Sequence, residues 1–414
     1  MNILLIHQYF LEKDDPGGSR FNEMTRSWTE QGHNITVLGG MMHYSKAEKR
    51  QEYKGKYFVH KQHDKVSVWR CHVSESYNKS FVGRLWGYFS FVFSSIWAGI
   101  FKVKGKFDII LVTSPPLFVG ITGFLLSLLK RIPFVFEIRD LWPESAIDTG
   151  VVTSKMIIKF AFWFESFIYR KAILINVLTP AFRTALIEKK NVPAEKIIFI
   201  PNAADFSLSD DLLSVFDAKA FRQNNGIDDR FVITYVGAHG VANHLIQLLD
   251  TAELLTDTNV LFQLIGDGMQ KKMLVDEAKR RGLTNVKFVD SVSKKEVFKY
   301  IIASDLGTSV LKRVDTFKTI YSNKTFDYMA CKKPVLLVID GVSRELVEKA
   351  GCGFFAEPER PDDIALKIRR YLTDNSLVTE HGLNGYNYAK KHFDRTVIAN
   401  EYLSHLKKLS LTKV

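Results

Sequence analysis

The chain has 414 residues, 46% hydrophobic and 25% charged, a composition that fits two or three folded domains and excludes a disordered, collagen-like or coiled-coil protein. Three widely spaced cysteines, Cys71, Cys331 and Cys352, build neither a disulfide framework nor a zinc motif and favour a reducing compartment. The net charge of +12 is lopsided, with 27 Lys and Arg against 17 Asp and Glu in residues 1–200 but 30 against 28 in the remainder; such asymmetry suits an anionic partner, the candidates being a membrane surface, nucleic acid or a phosphorylated substrate.

In chain order, residues 2–7 read as a buried strand, and this opening run is too short and lacks the cationic leader of a signal peptide. Pro16-Gly17-Gly18 makes a loop, and a helix follows with Ser19 as N-cap and Phe21, Met24 and Trp28 at helical spacing. Gly32 ends it, and residues 34–38 form the next strand of a βαβ unit. Residues 85–101 break the pattern: they carry no charge, are rich in Trp and Phe, and are flanked by Arg84 and by Lys102, Lys104 and Lys106. A spanning helix needs ~20 apolar residues, and this shorter run contains two glycines and three serines. It reads as a helix partly buried in its domain and partly laid on a bilayer, with Trp86, Phe89 and Phe93 as membrane contacts; a spanning helix and a fully buried one are the alternatives. Residues 117–129 add a second apolar stretch. Residues 108–112, 133–137 and 173–178 are short apolar runs suited to a parallel sheet buried on both faces.

The second half repeats this grammar. Residues 231–236 form a strand, the loop 237–243 leads to a helix, and a strand at 260–265 ends in Gly266-Asp267-Gly268. Strands at 286–289, 305–310 and 334–339 follow, separated by helical segments. The chain is thus two α/β halves joined near Pro201-Asn202.

Three stretches can carry chemistry. The first loop lacks the G-x-G-x-x-G of a dinucleotide site, yet Gly17-Gly18 before a helix lets backbone N–H groups approach an anion; a plain turn fits equally. In the stretch from Lys318 to Val335, Ser322 or Asn323 caps a helix that also holds Thr325, and its free N–H groups and dipole suit a diphosphate. Lys318 and Lys324 supply cations beside it and Asp327 a carboxylate for ribose hydroxyls; the plain alternative is a capped surface helix with solvated lysines. The third stretch closes a strand, where doubly wound sheets place ligands, and sets Arg139, Asp140 and Glu144 around Trp142-Pro143. Asp140 and Glu144 suit acid, base or hydroxyl-binding work, the alternative being a salt-bridged loop.

At these stretches the chain resembles glycosyltransferase family 4, the retaining enzymes of the GT-B fold, and within it the WbuB-like branch that builds O-antigens and capsules. The resemblance runs through Pro16-Gly17-Gly18, Arg139 to Ser145, Ile200 to Asp205, Gly266-Asp267-Gly268, and Ser322 to Val335. It implies an α/β fold of two Rossmann-like domains facing each other across a cleft. Residues 1–200 with a returning C-terminal helix, 395–414, would bind the acceptor; residues 201–394 would bind the nucleotide-sugar donor. The implied donor site comprises Gly17, Gly18, Gly237, Asn243, Asp267, Val289 (meeting the base through its backbone), Lys318, Asn323, Lys324, Thr325 and Asp327; Arg139, Asp140 and Glu144 would be catalytic. Two departures stand out. Thr319 occupies the place of the first Glu of the family's pair, Asp327 matching the second, and Ala238 and Asn243 occupy places where the family offers Arg and Lys, so Lys318 and Lys324 become the substitute cations.

The resemblance thus implies a metal-independent transferase without a cofactor. It would move a sugar, such as N-acetyl-fucosamine, from a UDP-sugar to a polyprenyl-diphosphate-linked saccharide at the cytoplasmic face of the cell membrane. No D-x-D pattern lies between a strand and a loop to hold a metal. A nucleotide-sugar epimerase of the same fold and a donor-binding scaffold without catalysis remain alternatives. Nucleic acid is not an expected partner, because the basic half lacks a clustered Arg/Lys–aromatic recognition motif.

Overall fold

A computed structural model describes residues 1–12, 15, 20–42, 49–78, 81–148, 152–227 and 229–411. Gly17, Gly18 and the Ser19 cap lie outside the described residues. The chain divides into two compact units. One takes the described residues up to Pro201, apart from Asp15, together with those from Thr396; the other takes Asn202–Arg395.

The first unit is built on eight strands: β1 (Asn2–Ile6), β2 (Asn34–Gly40), β3 (Phe58–His63), β4 (Val66–Cys71), β5 (Ile109–Ser114), β6 (Phe134–Ile138), β7 (Leu174–Val177) and β8 (Ile197–Phe199). They lie in the order β3-β4-β2-β1-β5-β6-β7-β8, all parallel except the β3–β4 hairpin. Strands β5, β6 and β7 are buried at every position, which is why they read as unbroken apolar runs. The order reverses between β1 and β5, so the crevice at their carboxyl ends is where this fold places a ligand.

Among the described residues up to Pro201, the helices of this unit are α1 (Arg20–Glu30), α2 (Phe81–Trp97), α3 (Val119–Lys130), α4 (Glu144–Asp148), α5 (Lys155–Lys171) and α6 (Pro180–Glu188). Helix α2 accounts for most of the charge-free run and ends in a π-helical turn, Ala98–Lys102. Its inner face packs on α3: Ser95 Oγ meets Thr122 Oγ1 at 2.9 Å, and a Cβ on Gly99 would lie 2.4 Å from Leu126 Cδ1. Glycine there is therefore a packing requirement rather than a break. Among the described residues no helix is long and apolar enough to cross a membrane. A terminal helix, Arg395–Leu411, follows, and its Ala399 carbonyl accepts Trp28 Nε1–H at 2.8 Å.

The second unit has six parallel strands: β9 (Phe231–Val236), β10 (Val260–Ile265), β11 (Val286–Val289), β12 (Leu306–Val310), β13 (Val335–Val338) and β14 (Gly353–Phe355). Their order is β11-β10-β9-β12-β13-β14, reversing between β9 and β12. Tyr235, Leu248, Phe262, Leu306 and Leu336 are fully buried in its core.

Candidate functional site

The second unit gathers its candidates at the β9/β12 reversal. Strand β9 runs into Gly237 at φ +142°, and β10 into Gly266 at +145° and Gly268 at +157°, a backbone region that favours glycine. The two loops are pressed together: a Cβ on Gly266 would fall 1.9 Å from the Gly237 carbonyl oxygen. His239 N–H donates to the Asp267 carbonyl at 2.9 Å, and Gln270 N–H returns to the His239 carbonyl at 2.9 Å. The Gly266-Asp267-Gly268 motif thus fastens one strand-end loop to the next.

Lys324 stands beside this seam, in the first turn of the helix Asn323–Ala330. A Cβ on Gly237 would come within 3.2 Å of its Cε and 3.5 Å of its Nζ, and the ammonium lies 4.7 Å from the Tyr235 ring centroid. Among the described residues it makes no hydrogen bond or ion pair. Burial pulls its pKa down to about 8, with Asp327 pulling the other way. The helix is anchored at the reversal by Tyr328, whose hydroxyl accepts Val236 N–H from β9 at 3.2 Å and donates to the Thr308 carbonyl of β12 at 3.0 Å. Ser322 occupies the N-cap position, but its side chain makes no capping bond, contrary to the sequence expectation; its backbone N–H is instead directed to Ser343 Oγ at 3.3 Å.

The other donor-site candidates are distributed around this core. Thr325 is buried with its hydroxyl 3.1 Å from Ser309 Oγ, Asn323 is exposed, and Asp327 is half-buried. Asn243 reaches the Tyr235 hydroxyl from the turn Val241–Asn243. Asp267 is exposed and folds its carboxylate onto Gly268 N–H at 2.8 Å. The Val289 carbonyl accepts Gly266 N–H at 3.0 Å and Lys271 Nζ at 3.4 Å. Lys318 lies on the separate turn Asp315–Thr319, where its ammonium pairs with Asp315 at 2.8 Å. Among the described residues Lys318 is therefore neutralised by a carboxylate and Lys324 is not.

Sequence reasoning missed His239. It is fully buried, and among the described residues both ring nitrogens lack a hydrogen-bond partner. Burial, aided by Lys271, lowers its pKa to about 4, so the ring is neutral. A lone histidine three residues after a strand gave no periodic or motif signal.

In the first unit the reversal brings together the ends of β1, β5 and β6. His7 Nδ1 lies 2.6 Å from Thr113 Oγ1; burial and the nearby Arg139, Arg70 and Arg20 charges hold its pKa well below the usual value. Below the strand ends, buried Glu137 accepts Arg20 Nε–H at 3.1 Å and the Asn176 amide at 2.9 Å, while Arg20 also donates to the Ile200 carbonyl at 2.8 Å. This network fixes the exit of β6, so Glu137 is a framework carboxylate. Arg139 N–H donates to the Ser114 carbonyl at 3.2 Å. Asp140 accepts Ser145 Oγ–H at 2.9 Å, and burial, reinforced by Glu144, raises its pKa to about 6. Glu144 is held differently, paired with Lys190 at 2.7 Å. Arg139, Asp140 and Glu144 are adjacent, but only Glu144 among the two carboxylates has a cation bound to it.

The aromatic candidates on α2 divide. Trp86 and Phe93 are 52% and 60% exposed, whereas Phe89 is half-buried, 4.7 Å from the Phe118 ring. Phe89 shares their helical face, but at its edge, where the ring packs on Phe118 and is only partly open to the outside. The outward surface is extended by Trp97, Phe101, Leu128 and Leu129, and on α5 by Met156, Phe160 and Trp163. Helix α3 packs between α2 and α5, making these neighbouring exposures.

Two doubly wound sheets, the second with glycine-lined loops at its reversal, match the GT-B fold of sugar transferases, and comparison with known proteins agrees. Residues 17–203 match the glycosyl transferase 4-like domain and residues 217–392 the glycosyl transferases group 1 family. The chain belongs to the GT-B glycosyltransferases of this two-domain type. It is 23% identical over 397 residues to the Escherichia coli (strain K12) protein named for colanic acid biosynthesis, glycosyl transferase WcaI, covering 94% of this chain and 96% of that one. Its fold is similar to sucrose-phosphate synthase from Thermosynechococcus elongatus, with TM-score 0.76, 15% identity and full coverage of both chains. It is also similar to Anabaena HepE solved with UDP-glucose, with TM-score 0.71, 20% identity and coverage of 99% and 100%.

Proposed function

We propose that this glycosyltransferase transfers a sugar, with retention of configuration, from a UDP-sugar to a lipid-linked saccharide in bacterial surface-polysaccharide synthesis. The observation that carries the donor half is the unpaired Lys324 ammonium lying against Gly237. A half-buried cation beside close-approaching backbone is a prepared place for a diphosphate. The solved HepE complex with UDP-glucose supports a uridine nucleotide, and the relative named for colanic acid biosynthesis supports a polysaccharide product.

In this reading Lys324 and the helix end beside it neutralise the diphosphate without a metal. The acceptor hydroxyl oxygen bonds to the anomeric carbon as the bond from that carbon to the phosphate oxygen breaks. The departing phosphate takes the hydroxyl proton on the same face, so no protein base is required. Asp140 orients the acceptor or offsets positive charge developing on the sugar. The donor sugar we assign to the N-acetylated deoxyhexoses, N-acetyl-fucosamine being the first to test.

The acceptor half rests on the exposed aromatic surface of α2, the π-turn and α5, bordered by exposed Lys104, Lys106 and Lys159. Trp rings beside lysines suit the interface of an anionic bilayer, which supports a reading in which the enzyme works at the inner face of the cell membrane. The deciding experiment is thermal shift and calorimetry of the full chain with UDP, GDP and UDP-sugars, followed by product analysis with a polyprenyl-diphosphate saccharide. Binding of UDP-sugar with transfer supports the reading. A new free nucleotide sugar without acceptor makes the protein an epimerase, and binding without turnover makes it a scaffold.

A further inference from the structure

Beneath the Asp140 loop lies a polar cluster that no motif indicated. Lys190, two residues past α6, is 8% exposed; its ammonium lies 2.7 Å from Glu144 Oε1 and 2.6 Å from Glu165 Oε2. Glu165, on α5, is fully buried and accepts the Tyr169 hydroxyl at 2.6 Å. Two carboxylates, Glu144 and Glu165, therefore share a single ammonium, and the Glu144 charge acts in turn on Asp140. Both acids that bind it come from different elements, so it ties α4 to α5. Asp140 is left with two neutral donors, the Ser145 hydroxyl and the Leu141 backbone N–H, and among the described residues no cation pairs with it.

We propose that Lys190 is the positioning residue of this loop: by drawing Glu144 onto Glu165 it leaves Asp140 as the carboxylate available to a ligand and governs how readily Asp140 ionises. Glu144 depends on Lys190, since among the described residues its second oxygen is buried without a hydrogen-bond partner. The groups facing Asp140 are Glu144 from α4, Tyr169 from α5 and Arg139 beside it in the chain, with Lys190 and Glu165 beyond. Burial raises Asp140 to about 6, with Glu144 adding to the rise, and raises Glu165 to about 7 against the pull of Lys190. Without Lys190 the Glu144 charge acts on Asp140 unopposed, and Asp140 keeps its proton to higher pH. The value of Asp140 to the enzyme rests on the proposed transferase reading; the link from Lys190 to Asp140 does not.

The test is pH-difference infrared spectroscopy of the full chain, the protonated-carboxyl band of Asp140 being assigned by its loss in Asp140→Asn. Lys190→Met should move the midpoint upward by about one pH unit, and Lys190→Arg should restore most of it. Glu165→Gln, which leaves Lys190 to Glu144 alone, should move it downward. A folded Lys190→Met protein with an unmoved midpoint overturns the proposal. Should that variant fail to fold, Glu165→Gln decides: a downward move supports the proposal, and no move or an upward one overturns it. A midpoint that follows Lys190 in a protein that binds no nucleotide would refute the transferase reading and leave the Lys190 link standing.

Discussion

Lys324 lays its side chain across Gly237, so close that a Cβ on the glycine would meet its Cε at 3.2 Å. The lysine comes from the start of one helix and the glycine from the end of β9, and the contact closes the reversal point of the second sheet. Replacing Lys324 with Ala should weaken UDP binding ~10- to 100-fold, the loss of one charge-assisted contact. Because its free-state pKa is about 8, the ammonium is charged below that value and loses charge above it, so UDP affinity should decline as pH rises through 8. Calorimetry at pH 6.5 and 9 checks both statements; a folded Lys324→Ala protein with unchanged affinity takes Lys324 out of the site.

His239 presents the opposite case, a polar ring in an apolar position. Its two unpartnered nitrogens sit among Tyr235, Phe288 and the seam glycines. A buried unsatisfied polar group costs ~1–3 kcal/mol, and an apolar replacement removes that cost. His239→Leu should therefore leave the denaturation midpoint unchanged or raise it, unlike the usual loss at a core position. A drop of more than ~2 kcal/mol in urea unfolding would show that the ring is satisfied in solution.

The exposed aromatics of the first unit should govern membrane partition. Trp86→Ser with Phe93→Ser should reduce flotation with vesicles containing phosphatidylglycerol, and adding Phe160→Ser and Trp163→Ser should reduce it further. Phe89→Ser should instead lower stability, because its ring packs on Phe118. Unchanged flotation in the fourfold variant, with the circular dichroism of the parent, removes the membrane role from this face.

Legibility in the sequence followed burial symmetry. Strands buried on both faces, such as β5 and β10, read directly as apolar runs. The hairpin β3–β4 did not, because an edge pair with alternating polar residues such as His60, Gln62 and Ser67 resembles loop. Strands β8 and β14, three residues each, are too short for any periodic signal. At the site, motif residues such as Lys324 and Asp140 were legible because their neighbours in sequence are also neighbours in space. Lys190, Glu165 and His239 were not, since their significance arises from partners, or missing partners, supplied by distant segments. The lysines illustrate the limit: Lys318 and Lys324 look equivalent in sequence, and only Asp315 beside Lys318 separates them.

Asp140 supplies the sharpest test, because activity and stability should move in opposite directions. Its carboxyl titrates near 6 in the folded chain against a usual value of 3.8. The folded protein therefore binds the proton more tightly, and stability falls as pH rises from about 4 to 6 and stays lower above it. Asp140→Asn removes the buried charge, so the variant should be more stable than the parent at pH 7.5 and near parity at pH 4. If the carboxylate offsets charge on the departing sugar, it acts mainly in the transition state, and Asn should lower kcat by ~10²-fold while donor KM changes little. The parent rate should fall as pH drops through about 6, and the residual rate of the variant should not follow that limb. Melting curves and steady-state rates over pH 4–8 measure all of this on one pair of proteins. Near-normal turnover in a stabilised Asp140→Asn protein would make the loop structural; a loss of both rate and stability would make Asp140 a packing residue rather than a catalytic one.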